Sequence, residues 1–140
     1  MKAVVIFESL TGNTRRLSHL LGDELRARGV ATTVCPITNI DLQAVSEADL
    51  VFVGSWTDGV FVMGQRPGRA ARIQMMPSLA GKTVVVFCTY ALNPGKVLEK
   101  MGDLLKFRGA NVLGGRAIRR TALEAGAVEL AELTLAATNA

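Results

Sequence analysis

The amino-acid sequence predicts an α/β fold, a doubly wound five-stranded parallel sheet with helices on both faces. Apolar runs of strand length alternate with amphipathic segments along all 140 residues. Continuous apolar strands of this kind are typical of parallel sheets covered on both faces. Hydrophobic residues make up 49% of the chain and charged residues 20%, as in a globular protein. This length predicts a single domain, 1–140, without repeats or linkers.

A strand, a polar loop and an amphipathic helix open the chain. The β-branched run from Val4 to Phe7 predicts the first strand. The segment 13–28 carries leucines at 17, 20, 21 and 25, which lie on one face of a helix. The other predicted strands cover residues 30–37, 49–55, 83–88 and 111–118, and the other predicted helices cover residues 41–47, 68–76, 93–108 and 121–137.

Three of these helices have recognisable start signals. Asp41 is predicted as an N-cap, since its side chain can accept a hydrogen bond from a first-turn amide. Asn93 and Pro94 are predicted as the N-cap and first residue of the next long helix. The segment from Thr121 to Glu124 has the spacing of a capping box and predicts the start of the last helix.

The loop between the first strand and the first helix predicts an anion site. It offers hydroxyls at Ser9, Thr11 and Thr14, and Gly12 permits a close approach or a positive φ. Backbone N–H groups and the positive end of a helix dipole meet at such a junction. We therefore expect a phosphate here. The alternative is a loop that only caps the helix, with Thr11 or Asn13 as N-cap.

Two common phosphate loops are absent from the sequence. No G-x-x-x-x-G-K-[ST] is present, so neither a triphosphate-binding lysine nor a magnesium-binding hydroxyl is in place. No G-x-G-x-x-G follows the first strand, which argues against a dinucleotide pyrophosphate. A monophosphate held by hydroxyl and amide donors fits the loop better.

Two further loops are expected beside this one. Ligands of doubly wound sheets bind beyond the carboxyl ends of the strands, at the switch point between the first and third strands. The loops at residues 56–67 and 89–93 should converge there, and they carry the only tryptophan and the only tyrosine, Trp56 and Tyr90. Two aromatic faces could flank a flat redox ring and exclude water. The alternative is that each aromatic simply covers the edge of the sheet.

Three segments resemble the flavodoxin family. Ser9-Leu10-Thr11-Gly12-Asn13-Thr14 resembles the [ST]-x-T-G-x-T loop that holds the FMN phosphate in that family. The segments 54–58 and 88–90 resemble the family's two ring-bordering segments, which carry a tryptophan and a tyrosine. The resemblance implies a flavodoxin-like sheet of order 2-1-3-4-5 and FMN as cofactor. The cofactor-binding residues it implies are Ser9, Leu10, Thr11, Gly12, Asn13, Thr14, Ser55, Trp56, Thr57, Asp58, Gly59, Thr89 and Tyr90.

The net charge of +4 and a pI near 9.5 differ from the acidic charge of typical flavodoxins. Arginines recur at Arg66, Arg69 and Arg72, and again over residues 108–120. They form either a solvated basic surface or a docking face for an acidic partner or a phosphorylated cosubstrate. Because Arg66 and Arg69 favour negative charge nearby, we expect the second flavin potential to be less negative than in acidic flavodoxins. Nucleic acid is not expected, since no binding motif or aromatic interleaving is present.

The resemblance implies an FMN protein that carries electrons between redox partner proteins. The main alternative is an FMN-dependent NAD(P)H or quinone reductase, with Phe61 and Met63 over a substrate pocket. A non-redox interaction module also stays open. A response regulator is a poor fit because the third strand ends in Gly54-Ser55 without an aspartate. A C-x5-R phosphatase is a poor fit because no cysteine lies near Ser9.

The sequence contains no apolar run of membrane-spanning length and begins without a signal-peptide pattern. Its two cysteines, Cys35 and Cys88, lie in apolar runs, which favours reduced thiols and a cytoplasmic protein. No spacing typical of a metal site is present. His19, the only histidine, falls in mid-helix and is expected to be a packed or solvated helical residue rather than a catalytic base.

Overall fold

A computed structural model describes residues 1–9, 12–58, 66–67 and 76–139 of the chain. For Asp58, Arg66 and Pro67 it describes the backbone alone. The strands are β1 (Lys2–Phe7), β2 (Ala31–Pro36), β3 (Leu50–Asp58), β4 (Arg66–Pro67), β5 (Thr83–Tyr90) and β6 (Asn111–Arg119). The helices are α1 (Asn13–Ala27), α2 (Leu42–Glu47), α3 (Val97–Phe107) and α4 (Leu123–Thr138), with a 3-10 turn at Ile37–Asn39.

The long strands form a parallel sheet in the order β2-β1-β3-β5-β6, and the short β4 pairs antiparallel with the end of β3. Counting the five parallel strands alone, this is the predicted order 2-1-3-4-5, which is confirmed. The chain leaves β1 to form β2 on one side and then returns to form β3 on the other. The switch point therefore lies between the carboxyl ends of β1 and β3.

Both faces of the sheet are covered, because successive strand residues point to opposite sides. Val4, Ile6 and Val53 belong to a buried cluster with Val97, Met101 and Leu105 of α3. Val5, Phe52 and Phe87 belong to the cluster on the other face, with Leu17, Leu21 and Leu25 of α1 and Leu123 and Leu130 of α4. The expectation of helices on both faces is confirmed.

Gly54 and Phe87 are register partners in β3 and β5. A Cβ built on Gly54 would lie 2.2 Å from the Phe87 ring, closer than non-bonded carbon atoms approach each other. Phe87 is fully buried, so its ring lies across β3 in space that only a glycine leaves open. This contact fixes the two strands against each other one residue before Ser55.

The helix starts are partly as predicted. Asp41 is the N-cap of α2, and its Oδ1 accepts a hydrogen bond from the Ala44 N–H at 2.9 Å, as expected. The prediction for α3 is wrong: its N-cap is Lys96, and Asn93 Oδ1 instead accepts from the Gly95 N–H at 2.8 Å. The left-handed φ of 55° at Gly95 separates Pro94 from the helix.

The predicted capping box of the last helix is also wrong. The N-cap of α4 is Ala122, and no side chain caps this helix end. The Ala122 N–H donates to the Arg119 carbonyl at 2.8 Å, so a turn directly after β6 takes up Thr121 and shifts the helix start by one residue.

Two strands extend further than the sequence predicts. β3 continues through Trp56 and Thr57 to Asp58, and β5 continues through Thr89 to Tyr90. The cause is mutual pairing, since Trp56 faces Thr89 in the ladder and the end of β3 also pairs with β4. The predicted loops therefore begin later. The helix predicted at 68–76 lies, apart from its last residue, outside the described residues.

Both cysteines are free and buried, in agreement with the expected reduced thiols. None of the helices in the described part of the chain is long and apolar enough to span a membrane.

Candidate functional site

The N-terminus of α1 lies at the switch point, and its N-cap is Gly12 rather than Thr11 or Asn13. Gly12 adopts the left-handed conformation with φ 95°, and its N–H donates to Ser9 Oγ at 3.1 Å. Among the residues that the structure describes, no side chain caps the helix. First-turn amides have no partner within a helix, so this end presents its donors to the space beside Ser9.

The charges around this helix end favour an anion. The first turn contains no acidic residue and instead carries Arg15 and Arg16. Arg16 pairs with Glu124 at 3.0 Å, on the exposed surface. Cations are unfavourable at the positive end of a helix dipole. A bound anion would offset the dipole and the arginines together.

Thr14, in the first turn of α1, is joined to the end of β5. Its hydroxyl lies 2.9 Å from the hydroxyl of Thr89, and the two residues are only 1% and 3% exposed. One hydroxyl donates to the other, so the proton of the accepting hydroxyl is not used within the pair. The pair links the predicted phosphate loop to the end of β5, 75 residues further along the chain.

The ends of β3 and β5 bring polar atoms to the same edge. Ser55 is buried, while Trp56 and Thr57 are half-buried. Thr57 Oγ1 is buried and makes no hydrogen bond within the described part of the chain, although it lies near enough to Cys88 to stabilise a thiolate there. An unpaired buried hydroxyl is costly, and a ligand with polar atoms on its edge would pair it.

Cys88 lies beside this edge but is not a reactive thiol. Burial raises the pKa of Cys88 to about 12. The Thr57 hydroxyl would stabilise the thiolate and so lowers this pKa, but its effect is smaller than that of burial. The side chain is therefore neutral at physiological pH and packs as a small apolar group.

Tyr90, at the end of β5, is held by the strand beside it. The guanidinium of Arg119 lies 5.3 Å from the centroid of the Tyr90 ring, and its Nη1 donates to the Ala91 carbonyl at 3.3 Å. The Arg120 N–H donates to the Tyr90 carbonyl at 2.9 Å. Sequence reasoning counted Arg119 only within a basic segment. The signal that could have identified it is the β5–β6 register, which pairs Tyr90 with Arg119.

Glu8 is a second residue that sequence reasoning did not single out. It is 3% exposed and follows β1 directly, with its N–H donating to the Gly54 carbonyl at 2.9 Å. A charged residue at the carboxyl end of a buried strand was the available signal. Glu8 places a carboxyl group at the junction of β1 and β3.

His19 lies on an exposed turn of α1, with its ring edge-on to Phe7 at a centroid distance of 5.9 Å. A cleft of about 480 Å³ runs past both residues to Ser9, Gly12 and Arg15. Among the described residues, no group of His, Cys, Asp or Glu is placed to hold a metal ion.

The structure brings most of the predicted site residues to one edge of the sheet. Ser9, Gly12, Asn13 and Thr14 lie at the end of β1, and Ser55, Trp56, Thr57, Asp58, Thr89 and Tyr90 lie at the ends of β3 and β5. Asp58 faces Arg66 in the β3–β4 ladder. The predictions for Leu10, Thr11, Gly59, Arg69 and Arg72 fall outside the described residues. The arrangement fits a ligand with an anionic group at one end and a flat, polar-edged ring at the other.

A family model described as "Flavodoxin domain" matches residues 4–114 of the chain. The comparison with curated proteins finds no match. The structure is similar to oxidised Flavodoxin 1 from Bacillus cereus, with a TM-score of 0.71, 20% identity, and coverage of 94% of this chain and 95% of that one. It is also similar to the flavodoxin of Streptococcus pneumoniae, with a TM-score of 0.69, 24% identity, and coverage of 94% and 99%.

Rubredoxin oxygen:oxidoreductase from Desulfovibrio gigas contains a similar part, with a TM-score of 0.68 and 18% identity. The match covers 99% of this chain but 37% of that one. At these identities the solved structures show a shared fold, and membership of the family rests on the family model.

Proposed function

The chain belongs to the flavodoxin family, whose cofactor is FMN, and on that premise we propose that it binds FMN at the switch point and carries electrons between redox partner proteins. FMN, when bound, supplies one- and two-electron redox chemistry. The residues of the chain hold it, exclude water and set its potential. No residue is assigned a bond-making role.

The phosphate group is assigned to the end of α1. Gly12 and the first-turn amides supply N–H donors, and Ser9 holds Gly12 in its left-handed conformation. The spare hydroxyl proton of the Thr14–Thr89 pair is available to the phosphate. Leu10, Thr11 and Asn13 complete the predicted loop. Hydroxyl and amide donors satisfy a phosphate dianion without a matching cation at each oxygen.

The ring is assigned to the ends of β3 and β5. Trp56 and Tyr90 are half-buried there, one on each strand. The unpaired Thr57 hydroxyl suits a polar atom on the ring edge, with Ser55, Asp58, Gly59 and Thr89 as the remaining predicted neighbours. A cation held over Tyr90 makes this end of the site positive.

One observation carries the proposal: α1 begins at the switch point with a left-handed Gly12, and no side chain among the described residues caps it. A glycine N-cap costs only about a few tenths of a kcal/mol relative to a capping side chain. It also leaves the space beside it open, since a Cβ built on Gly12 would meet no atom within 4 Å.

The reductase alternative depends on Phe61 and Met63, which lie outside the described residues, and the comparisons do not favour it. The redox partners are also part of the proposal, with Arg66, Arg69 and Arg72 as predicted docking residues. A cytoplasmic location is proposed as well, and its support is that Cys35 and Cys88 are free thiols.

The test is a visible absorption titration of the purified chain with FMN, with riboflavin as the control that lacks the phosphate. We expect FMN to bind at least about 100-fold more tightly than riboflavin, because each lost hydrogen bond to a charged group costs about 1.5–3 kcal/mol. Stepwise anaerobic reduction should then accumulate a one-electron-reduced flavin. Equal affinity for both flavins would refute the phosphate site, and rapid turnover of NAD(P)H would favour the reductase.

A further inference from the structure

We propose that the edge of the sheet around Tyr90 is a docking surface for an acidic redox protein. This inference rests on the proposed function, because the surface surrounds the assigned flavin ring. We call it the basic rim, and it consists of Arg15, Arg16, Lys96, Arg119 and Arg120.

Every member of the basic rim lies at the carboxyl edge of the sheet. Arg15 and Arg16 are in the first turn of α1, and Lys96 is the N-cap of α3. Arg119 ends β6 and lies over Tyr90, and Arg120 follows it. These three segments follow or end strands β1, β5 and β6, so the charges surround the site and do not form one run along the sequence.

Acidic residues do not balance this edge. The exposed acids there with described side chains are Asp41, Glu99 and Glu124; Asp41 caps α2 beyond the end of β2, and Glu124 is already paired with Arg16 at 3.0 Å. Glu8 is buried. Within the described part of the chain, Lys96 and Arg120 have no ion-pair partner, and Arg15 has none besides the FMN phosphate proposed beside it. Asp58 and Arg66, which face each other in the ladder, add one charge of each sign.

The opposite edge of the sheet shows the contrast. There Lys2 pairs with Glu47 at 2.9 Å, Arg26 with Asp23 at 3.1 Å, and Arg28 with Glu24 at 3.6 Å. Lys106 at that edge is exposed, but most cations there are bound by acids or carbonyls, whereas the members of the basic rim surround the assigned redox centre. A surface of one sign around a redox centre steers partners of the opposite sign and raises association rates by about 10- to 1,000-fold at low salt.

The experiment uses the FMN-loaded, reduced chain in stopped flow. The small probes are ferricyanide, an anion, and hexaamminecobalt(III), a cation. The protein probes are cytochrome b5, which is acidic, and cytochrome c, which is basic. We expect the rates with ferricyanide and cytochrome b5 to fall about tenfold as ionic strength rises from about 10 to about 300 mM, since screening shortens the reach of the field. The rates with the two cationic probes should rise.

The variant Lys96→Glu/Arg120→Glu should remove or reverse this salt dependence. Glutamate is tolerated at the start of a helix, and the Arg120 side chain makes no hydrogen bond or ion pair within the described residues. Lys106→Glu, an exposed lysine at the other end of α3, is the matched control and should behave like the wild type.

FMN loading is measured first in each variant, so the two proposals fail separately. Absence of FMN binding in the wild type would refute the proposed function. Normal FMN binding and reduction, with the same salt dependence for anionic and cationic probes, would refute the basic rim as a docking surface. Equal effects of Lys96→Glu/Arg120→Glu and Lys106→Glu on the salt dependence would refute it as well.

Discussion

The hydrogen bond between Thr14 and Thr89 has a role in stability and a proposed role in binding, and a double-mutant cycle can separate them. The perturbations are Thr14→Val, Thr89→Val and the double variant. Valine keeps the shape of threonine and removes the hydroxyl, so packing in this buried place changes little. The two hydroxyls lie 2.9 Å apart and are almost completely buried.

Each single variant leaves the other hydroxyl buried without its partner. That desolvated group should lower the free energy of unfolding by about 1–3 kcal/mol. The double variant removes both polar groups and should return close to the stability of the wild type. Because the double variant lacks the cost of both single variants, we expect a coupling free energy of about 2–6 kcal/mol between the two positions.

The assay is equilibrium urea unfolding of the apoprotein, followed by far-UV circular dichroism. With a slope of roughly 2 kcal/mol per molar urea, each single variant should lower the midpoint by about 0.5–1.5 M. FMN titrations should show weaker binding in the double variant, because no hydroxyl proton of the pair remains there, whereas each single variant keeps one hydroxyl that can donate. The control is Thr32→Val, whose hydroxyl donates to the Val30 carbonyl at the opposite edge, and it should bind FMN normally.

Two outcomes would contradict this reasoning. If the effects of the single variants on stability simply add, the hydroxyls do not interact. If the double variant binds FMN as tightly as the wild type, the pair supplies no donor to the phosphate and serves only to join α1 to β5.

Gly12→Ala should weaken FMN binding at least about fivefold, because alanine disfavours the φ of 95° by about 1–2 kcal/mol. The control is Gly29→Ala at the other end of α1, where the glycine has a similar φ of 85°. This control should lose similar stability but keep its FMN affinity. Burial raises the pKa of Cys88 from 9.0 to about 12. Between pH 9 and 12 the folded chain keeps a proton that the unfolded chain releases. The free energy of unfolding of the wild type should therefore fall, relative to Cys88→Ala, by up to roughly 1.4 kcal/mol per pH unit. Thermal melts with the same pH dependence in both proteins would refute this. Arg119→Gln removes an exposed cation over Tyr90. Spectroelectrochemistry should find its second flavin potential more negative than that of the wild type by about 20–40 mV, which corresponds to about 0.5–1 kcal/mol. Lys106→Gln should leave this potential unchanged.

The sequence predicted the sheet order and the strand ends that meet at one edge of the sheet, because both depend on patterns that are local or regular. Apolar strands alternating with amphipathic helices allow few arrangements of a parallel sheet. The hydroxyl-rich loop before α1 was recognisable since its residues are adjacent in the chain. Asp41 was correctly predicted as an N-cap for the same reason.

The remaining features depend on contacts between distant residues. The Thr14–Thr89 bond joins positions 75 residues apart, and the place of Arg119 depends on the register of β6 beside β5. Thr57 and Thr89 looked like loop residues because they are polar, but ladder pairing keeps their backbones in strands. The signal at Asn93 was real, yet it formed a turn to Gly95 and not a helix cap.

The packing of Phe87 across Gly54 also limits which sequences can share this architecture. A relative with a larger residue at the position of Gly54 would need a smaller residue at the position of Phe87, because both cannot occupy the same space. The two positions should therefore vary together within the family. A relative with a large side chain at each position would have to separate β3 from β5 just before Ser55, and with them the strand ends that carry Trp56 and Tyr90.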